Sequence, residues 1–244
     1  MNDIRPSNTS WDTSNTPHDR FIAQDSERGG GGPRIAADSV ITLHDGRQKI
    51  LQTDSTQPEP FIAMDTETGG LDASECAILS IAAVPSWDAD PFLVYIQPDG
   101  KIEKKAAAVN GYTPERWAAH NALPPKHAAI HFQKWLFSLN RTRYTLAAHH
   151  AGFDALFILA FQHRTGFDLS LPGLWQCTKI KLEALRDDGT LPPGRNTLDA
   201  LGDLTGYWNL DPRTSAHDAL QDARCVRHSL PWLLNQKKER PPSP

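Results

Sequence analysis

Five residues could carry out metal-assisted hydrolysis if the fold brings them to one place: Asp65, Glu67, Asp154, His217 and Asp222. Asp65 and Glu67 stand two apart in FIAMDTETGG. In a strand, side chains i and i+2 share a face, so both carboxylates leave the sheet together. They do so at the strand's C-terminal end, where ligand sites of α/β sheets gather. Asp154 lies in LAAHHAGFDALF, where an apolar strand runs into His149-His150 and Gly152 and an apolar helix begins. His217 and Asp222 lie in SAHDALQDARCVRH, five residues apart, which is about 140° around an ideal helix. They serve one target only if His217 sits in a frayed first turn or just before the helix, and Ser215 is the candidate N-cap. Oxygen-only ligands suit hard Mg²⁺ or Mn²⁺, and an imidazole titrating near 6.5 suits a base at neutral pH. Taken singly, each segment has a plainer reading: two acids at a solvated strand end, an acid favoured by a helix dipole, a surface His and Asp.

The elements that must position these residues follow from periodicity and turn chemistry. Phe61–Glu67, Ala77–Val84 and Phe92–Ile96 predict three strands, the first stopped by Thr68-Gly69-Gly70 and the third followed by a Pro98-Asp99-Gly100 turn. Thr113–His120 and Pro125–Leu139 predict helices, the second carrying Ala129, Ile130, Phe132, Trp135 and Leu136 at helical spacing. Tyr144–Ala148 predicts a short strand and Phe153–Gln162 a helix, then Leu174–Thr178 a strand leading into a helix to Arg186. Asn196–Gly206 and Ala216–Leu230 predict the last helices, with Pro231 kinking or ending the final one. Early strands followed by alternating helix and strand imply an α/β domain with a mixed sheet.

The 244 residues allow one large domain or two small ones. Residues 1–35 are rich in Ser, Asn, Thr, Asp and Pro and predict a disordered arm, because so little apolar surface cannot offset an ordering entropy of roughly 1–2 kcal/mol per residue. Residues 36–58 predict a small β-hairpin around Asp45-Gly46 and a linker, 59–236 the globular domain, and 237–244 a solvated tail. A net charge of -4 excludes coating of nucleic acid by bulk charge. Three scattered cysteines exclude a disulfide framework and a Cys-rich zinc site. The opening residues lack the apolar core of a signal peptide, and Tyr144–Gln162 is too polar to span a bilayer. The expectation is a soluble, cytoplasmic protein with no membrane partner.

D-x-E on an early strand, H-x-x-x-D after a middle strand and H-x-x-x-x-D on a late helix form an ordered set. It resembles the DEDDh 3′–5′ exonucleases, the group of proofreading exonuclease subunits, RNase T and oligoribonuclease. VNGYTPERW at 109–117 and QCTKIKLEAL at 176–185 are similar to two further segments of that group. The family usually has Asn where this chain has His150. The resemblance covers residues 60–230 and implies an RNase H-like fold, a mixed five-stranded sheet flanked by helices. It implies hydrolysis of phosphodiester bonds at single-stranded 3′ ends, DNA before RNA, releasing nucleoside 5′-monophosphates, in a setting such as DNA repair or proofreading. It makes Asp65, Glu67, Asp154 and Asp222 ligands of two Mg²⁺ or Mn²⁺, with Asp65 bridging, and His217 the general base rather than a ligand. Thr66, Leu71, His150 and Phe153 become candidates for substrate contact, Phe153 being equally a core position.

The chemistry agrees with such a set. Unneutralised carboxylates 5 Å apart repel by roughly 3 kcal/mol per pair at an effective dielectric near 20, so a cluster of four calls for cations or protons. Residues 59–244 hold 21 acids against 19 Lys and Arg, and setting aside the four proposed ligands turns the balance to +2, which favours phosphate. Arg141, Arg143, Lys179, Lys181, Arg186, Arg195 and Arg224 are candidates for backbone contacts. The rival readings are an RNA-trimming member of the same group and a non-catalytic module for nucleic-acid ends or a polymerase, with the arm tethering a replication or repair partner. His127 and His131 lack the glutamate and Cys support of a zinc site, and Gly29–Gly32 lacks the Lys-Ser/Thr of a P-loop.

Overall fold

The structure, a computed structural model, describes residues 39–42, 48–51, 59–213 and 217–236. Strands β1 (Ser39–Thr42) and β2 (Gln48–Leu51) pair antiparallel, with Val40 opposite Ile50. The arm over 1–35, the turn at Asp45-Gly46, the linker over 52–58 and the tail over 237–244 lie outside the described residues.

The main sheet begins with β3 (Phe61–Thr68), β4 (Ile78–Pro85) and β5 (Phe92–Tyr95), β4 running antiparallel to both neighbours. Helices α1 (Lys104–Asn110), α2 (Pro114–Ala119) and α3 (Pro125–Ser138) lead to β6 (Thr145–Ala148). Then come α4 (Ala151–Thr165), β7 (Trp175–Cys177), α5 (Thr178–Asp187), α6 (Leu198–Thr205), α7 (Tyr207–Leu210) and α8 (Ala219–Gln236). Strand order is β5-β4-β3-β6-β7, with β6 parallel to β3 and β7 parallel to β6. This is the mixed α/β sheet expected from the strand and helix pattern, with the five strands that the resemblance implies.

Alternation along β3 builds a core on each face. Ile62 and Met64 bury with Phe132 of α3 and with Phe157, Ile158 and Phe161 of α4. Phe61 and Ala63 bury under Val226 and Leu230 of α8. Burying the larger of these side chains stabilises by about 1.5–3 kcal/mol each. Carried forward, the same alternation sends Asp65 and Glu67 to the α8 face and Thr66 to the α4 face. On β4, Ala82 and Val84 meet Ala219 and Ala223 of α8, and these small side chains let the helix start close to the sheet.

Two elements escape sequence periodicity. The four-residue α7 is too short to show a stripe, and α1 (KKAAAVN) has none. Yet α1 fixes the end of β3: buried Asn110 donates through Nδ2 to the Thr68 carbonyl at 2.9 Å and accepts from the Tyr112 amide at 3.1 Å. Gly111 ends the helix at φ 66°, where a Cβ would stand 2.2 Å from Arg116 Nη1.

Pro231 does not end α8, which continues to Gln236. Proline lacks an N–H and leaves the Arg227 carbonyl without its helix partner. Leu230 and Leu233 are buried on either side, and their packing offsets a cost of about 3 kcal/mol. Cys76, Cys177 and Cys225 are buried free thiols. No described helix is long and apolar enough to cross a membrane.

Candidate active site

β3 pairs with β6 only from Phe61 to Ala63, after which β6 ends and the chain turns into α4. Beyond that point the β6 side of β3 has no strand to satisfy it. Asp154, in the first turn of α4, takes the place: the Thr66 amide and hydroxyl donate to its Oδ1 at 3.1 and 2.9 Å. A backbone donor that would be orphaned at the strand end thus fixes a carboxylate. Both bonds fall on Oδ1, and Oδ2 takes neither.

Asp222 occupies the first turn of α8, on the buried stripe with Ala219, Ala223 and Val226. The helix is capped by Asp218, whose Oδ1 accepts from the Leu220 and Gln221 amides at 3.0 Å each. The expected cap, Ser215, lies outside the described residues. His217 stands directly before Asp218 with φ 56°, outside regular helix, which is the condition its spacing from Asp222 demanded. One ligand atom each from Glu67, His217 and Asp222 lie within 4.8 Å of one another.

Charge shows the rest of the convergence. Burial pushes the Asp65 carboxyl well above its usual range, with further upward pressure from Asp222, Asp154 and Glu67. Glu67 rises to about 8, through burial first and then the charges of Asp222, Asp218 and Asp154. Asp154 rises to about 7 through burial, against the two Thr66 hydrogen bonds, which hold it down. Asp222 rises to about 6 through burial, opposed by Arg213. The His217 imidazole is lowered, by burial first and then by Arg213. Glu67 Oε1 is buried without a hydrogen-bond partner, and Asp222 Oδ1 is buried with no partner beyond its ion pair to Arg213. A buried, orphaned oxygen within a set of mutually repelling carboxylates is what a hard divalent ion would satisfy, so Asp65, Glu67, Asp154 and Asp222 fit such ions.

This clustering has a measurable cost. In the metal-free protein the carboxyls hold protons that the unfolded chain, with ordinary carboxyl values near 4, has already released. Stability therefore falls as pH rises through their folded values. His149 acts oppositely: burial lowers it to about 4, and its contribution is complete once the unfolded imidazole is neutral, above about 6.5. The lowered His217 follows the same rule. From pH 6.5 to 8 the acids act unopposed. The melting temperature in EDTA falls over that range by roughly 5 °C, and excess Mg²⁺ removes most of the slope. A flat or rising profile in EDTA would count against the cluster.

The proposed substrate contacts divide. Leu71 is 84% exposed just past β3. His150 is exposed and stacks on Phe153 with ring centroids 6.1 Å apart. Phe153 also packs on Phe157 at 4.8 Å, so it belongs to both core and surface. Thr66 is buried, its amide and hydroxyl bonded to Asp154. His149 is a structural tie: Nε2 donates to the Asn196 carbonyl at 3.1 Å, and Nδ1 meets the Thr178 hydroxyl at 3.0 Å.

Among the candidate cations, Arg141 lies over Trp87, 4.6 Å from the ring centroid, beyond the start of β6 and the end of β4. That is the opposite end of the sheet from Glu67, and Arg143 leads into β6 at the same end. Arg186 is turned to the Arg195 carbonyl and to Asn196 Oδ1. Lys179 and Lys181 start α5 at the site's end of the sheet, and Arg224 is exposed on α8. The cation that reaches the acids is one the sequence did not mark: Arg213 Nη2 stands 2.9 Å from Asp222 Oδ1. An isolated Arg after Pro212 carries no spacing signal. Asn110 and Asp218 were likewise unmarked, although HDALQDA places Asp218 where a cap belongs.

No protein-family model matches this chain, and no curated protein matches its sequence. Its fold is similar to solved structures. Exonuclease I from E. coli in complex with a dT13 oligonucleotide aligns with a TM-score of 0.59 at 19% identity, over 74% of this chain and 42% of that one. The zinc-bound form of the E. coli Exonuclease I complex with single-stranded DNA aligns with a TM-score of 0.59 at 20% identity, over 75% and 42%. A moderately thermophilic Exonuclease I from Methylocaldum szegediense gives 0.57 at 20%, over 72% and 42%. This chain thus spans less than half the length of those proteins. The likeness shows the fold, the RNase H-like arrangement that the sequence led us to expect.

Proposed function

We propose that this chain is a divalent-metal-dependent 3′–5′ exonuclease that hydrolyses phosphodiester bonds at single-stranded 3′ ends, DNA before RNA, and releases nucleoside 5′-monophosphates. The observation that carries this reading is the meeting of carboxylates from β3, α4 and α8 beside one imidazole that belongs to no regular helix. The fold's likeness to structures holding single-stranded DNA supports it.

Asp65, Glu67, Asp154 and Asp222 would hold two Mg²⁺ or Mn²⁺. When bound, such ions activate water and stabilise the leaving oxygen of an in-line displacement. Every other part is the chain's own. Thr66 holds Asp154 in place. Asp218 fixes the start of α8 and with it the bearing of Asp222. His217, lowered below the usual imidazole value, is neutral at pH 7 and takes the proton from the attacking water at a ring nitrogen. Leu71 and the His150–Phe153 stack offer apolar and aromatic surface to the terminal bases. His150 takes the place of the Asn that the resemblance leads one to expect. Three buried free thiols suit a reducing, cytoplasmic setting, and the 1–35 segment is the proposed tether to a replication or repair partner.

The test is a time course with matched 5′-labelled DNA and RNA oligomers in Mg²⁺, in Mn²⁺ and in EDTA. DNA shortens stepwise from the 3′ end with either metal and stays intact in EDTA, and a chain lacking residues 1–35 digests at the same rate. Digestion of RNA alone would make the protein an exoribonuclease. Binding of ends with no digestion of either would make it a non-catalytic module and end the catalytic reading.

A further inference from the structure

The acid cluster carries its own counter-ion. Arg213 Nη2 stands 2.9 Å from Asp222 Oδ1, and its Nε stands 2.9 Å from Asp199 Oδ1. Its guanidinium lies over the Trp208 ring, 4.4 Å from the centroid. Trp208 in turn is fixed, its indole N–H donating to the Asp199 carbonyl at 3.0 Å. The ring lies so close to α6 that a Cβ on Gly202 would come within 2.1 Å of its Nε1. Residues from α6 and α7 thus form a platform that aims a guanidinium at one of the site's carboxylates. The Asp199 side chain is 69% exposed and the Asp222 side chain 6%, so the weight of the arrangement falls on Asp222 and on the ring.

We propose that Arg213 is a built-in cation that occupies Asp222 in the metal-free protein and must be displaced when a divalent ion takes that carboxylate, so that it sets the metal affinity of the site. The inference rests on Asp222 being a metal ligand. A guanidinium and a divalent ion cannot share one carboxylate oxygen without strong repulsion at a few ångströms. Arg213 is delivered by the chain itself, whereas the ion comes from solution and has to compete. Without the ion, the guanidinium relieves part of the repulsion among Asp65, Glu67 and Asp222, each of which feels its charge. With the ion, it is an adverse neighbour. By linkage, whatever the contact contributes to the metal-free state is subtracted from metal binding. The platform therefore weakens loading of the bare protein and leaves room for substrate phosphates to complete it.

The experiment is Mn²⁺ titration calorimetry on the full chain, with thermal melting in EDTA alongside. Arg213→Gln binds Mn²⁺ about tenfold more tightly than wild type, the size of one partly screened charge contact, and melts lower in EDTA. Arg213→Lys keeps the charge and stays near the wild-type affinity. Trp208→Leu removes the platform but not the cation and tightens binding by a smaller factor; it decides the matter if Arg213→Gln does not fold. Equal or weaker Mn²⁺ binding by Arg213→Gln, or by Trp208→Leu where that variant must decide, overturns the inference while leaving the metal site standing, provided Asp222→Asn weakens binding. No Mn²⁺ binding by wild type, or none that depends on Asp222, overturns the metal reading and this inference with it.

Discussion

Asp65→Asn loses digestion of a 5′-labelled oligomer by roughly a thousandfold or more and, in EDTA, melts higher than wild type. The two effects share one cause. Asp65 lies on the α8 face of β3, where its charge is opposed by burial and by Asp222, Asp154 and Glu67. Asn keeps the shape and is neutral without a proton, so the metal-free protein is spared the cost of holding an acid uncharged above its ordinary range. The same change removes a proposed ligand from the set, and the stabilisation supplied by bound ions, several kcal/mol, is lost with it. A carboxylate kept only as a solvated strand end would give neither effect. Asn that digests at the wild-type rate, or that melts lower in EDTA, would falsify the placing of Asp65 in the cluster.

The second large effect is expected at His217. Its φ of 56° makes Asn the suitable replacement, since Asn tolerates the left-handed region and Ala would add backbone strain to the measurement. His217→Asn lowers kcat by about 10²–10⁴, the range for a positioned proton acceptor. His217 lies within 4.8 Å of ligand atoms of Glu67 and Asp222, so geometry alone permits it to be a ligand as well as a base. Two readouts separate the roles. A base leaves Mn²⁺ affinity near wild type, and the acid limb of the pH–rate profile, where the wild-type imidazole gains its proton below about 6.5, disappears in the variant. Weaker Mn²⁺ binding with the acid limb intact would make His217 a ligand and leave the base unidentified.

Much of this arrangement could be read along the chain, for reasons that are local. The period of two in FIAMDTET decides that Asp65 and Glu67 share a face whatever packs on it. The helical stripe of Ala219, Ala223, Val226 and Leu230 decides that α8 lies on an apolar surface. The 140° separation decides that His217 cannot be in regular helix if it serves the same site as Asp222. What lay beyond reach depends on neighbours distant in sequence. α1 has no stripe and is held by Asn110 bonding to the end of β3. Pro231 looks like a helix stop, but Leu230 and Leu233 bury on either side and outweigh the lost hydrogen bond. Arg141 and Arg143 look like site cations and are set at the opposite end of the sheet by the direction of β6.

Backbone periodicity fixes side-chain direction within a strand or helix, so the order of residues along the chain already settles which side chains could act and which face of each element they occupy. That these faces meet is a consequence of packing between distant segments. β6 stops short and leaves the Thr66 amide for Asp154, while small residues under α8 draw Asp222 down to the strand. The same packing sets a lone arginine against the acids. Coulomb energy and burial depend on distance through space, and no pattern along the chain encodes that distance.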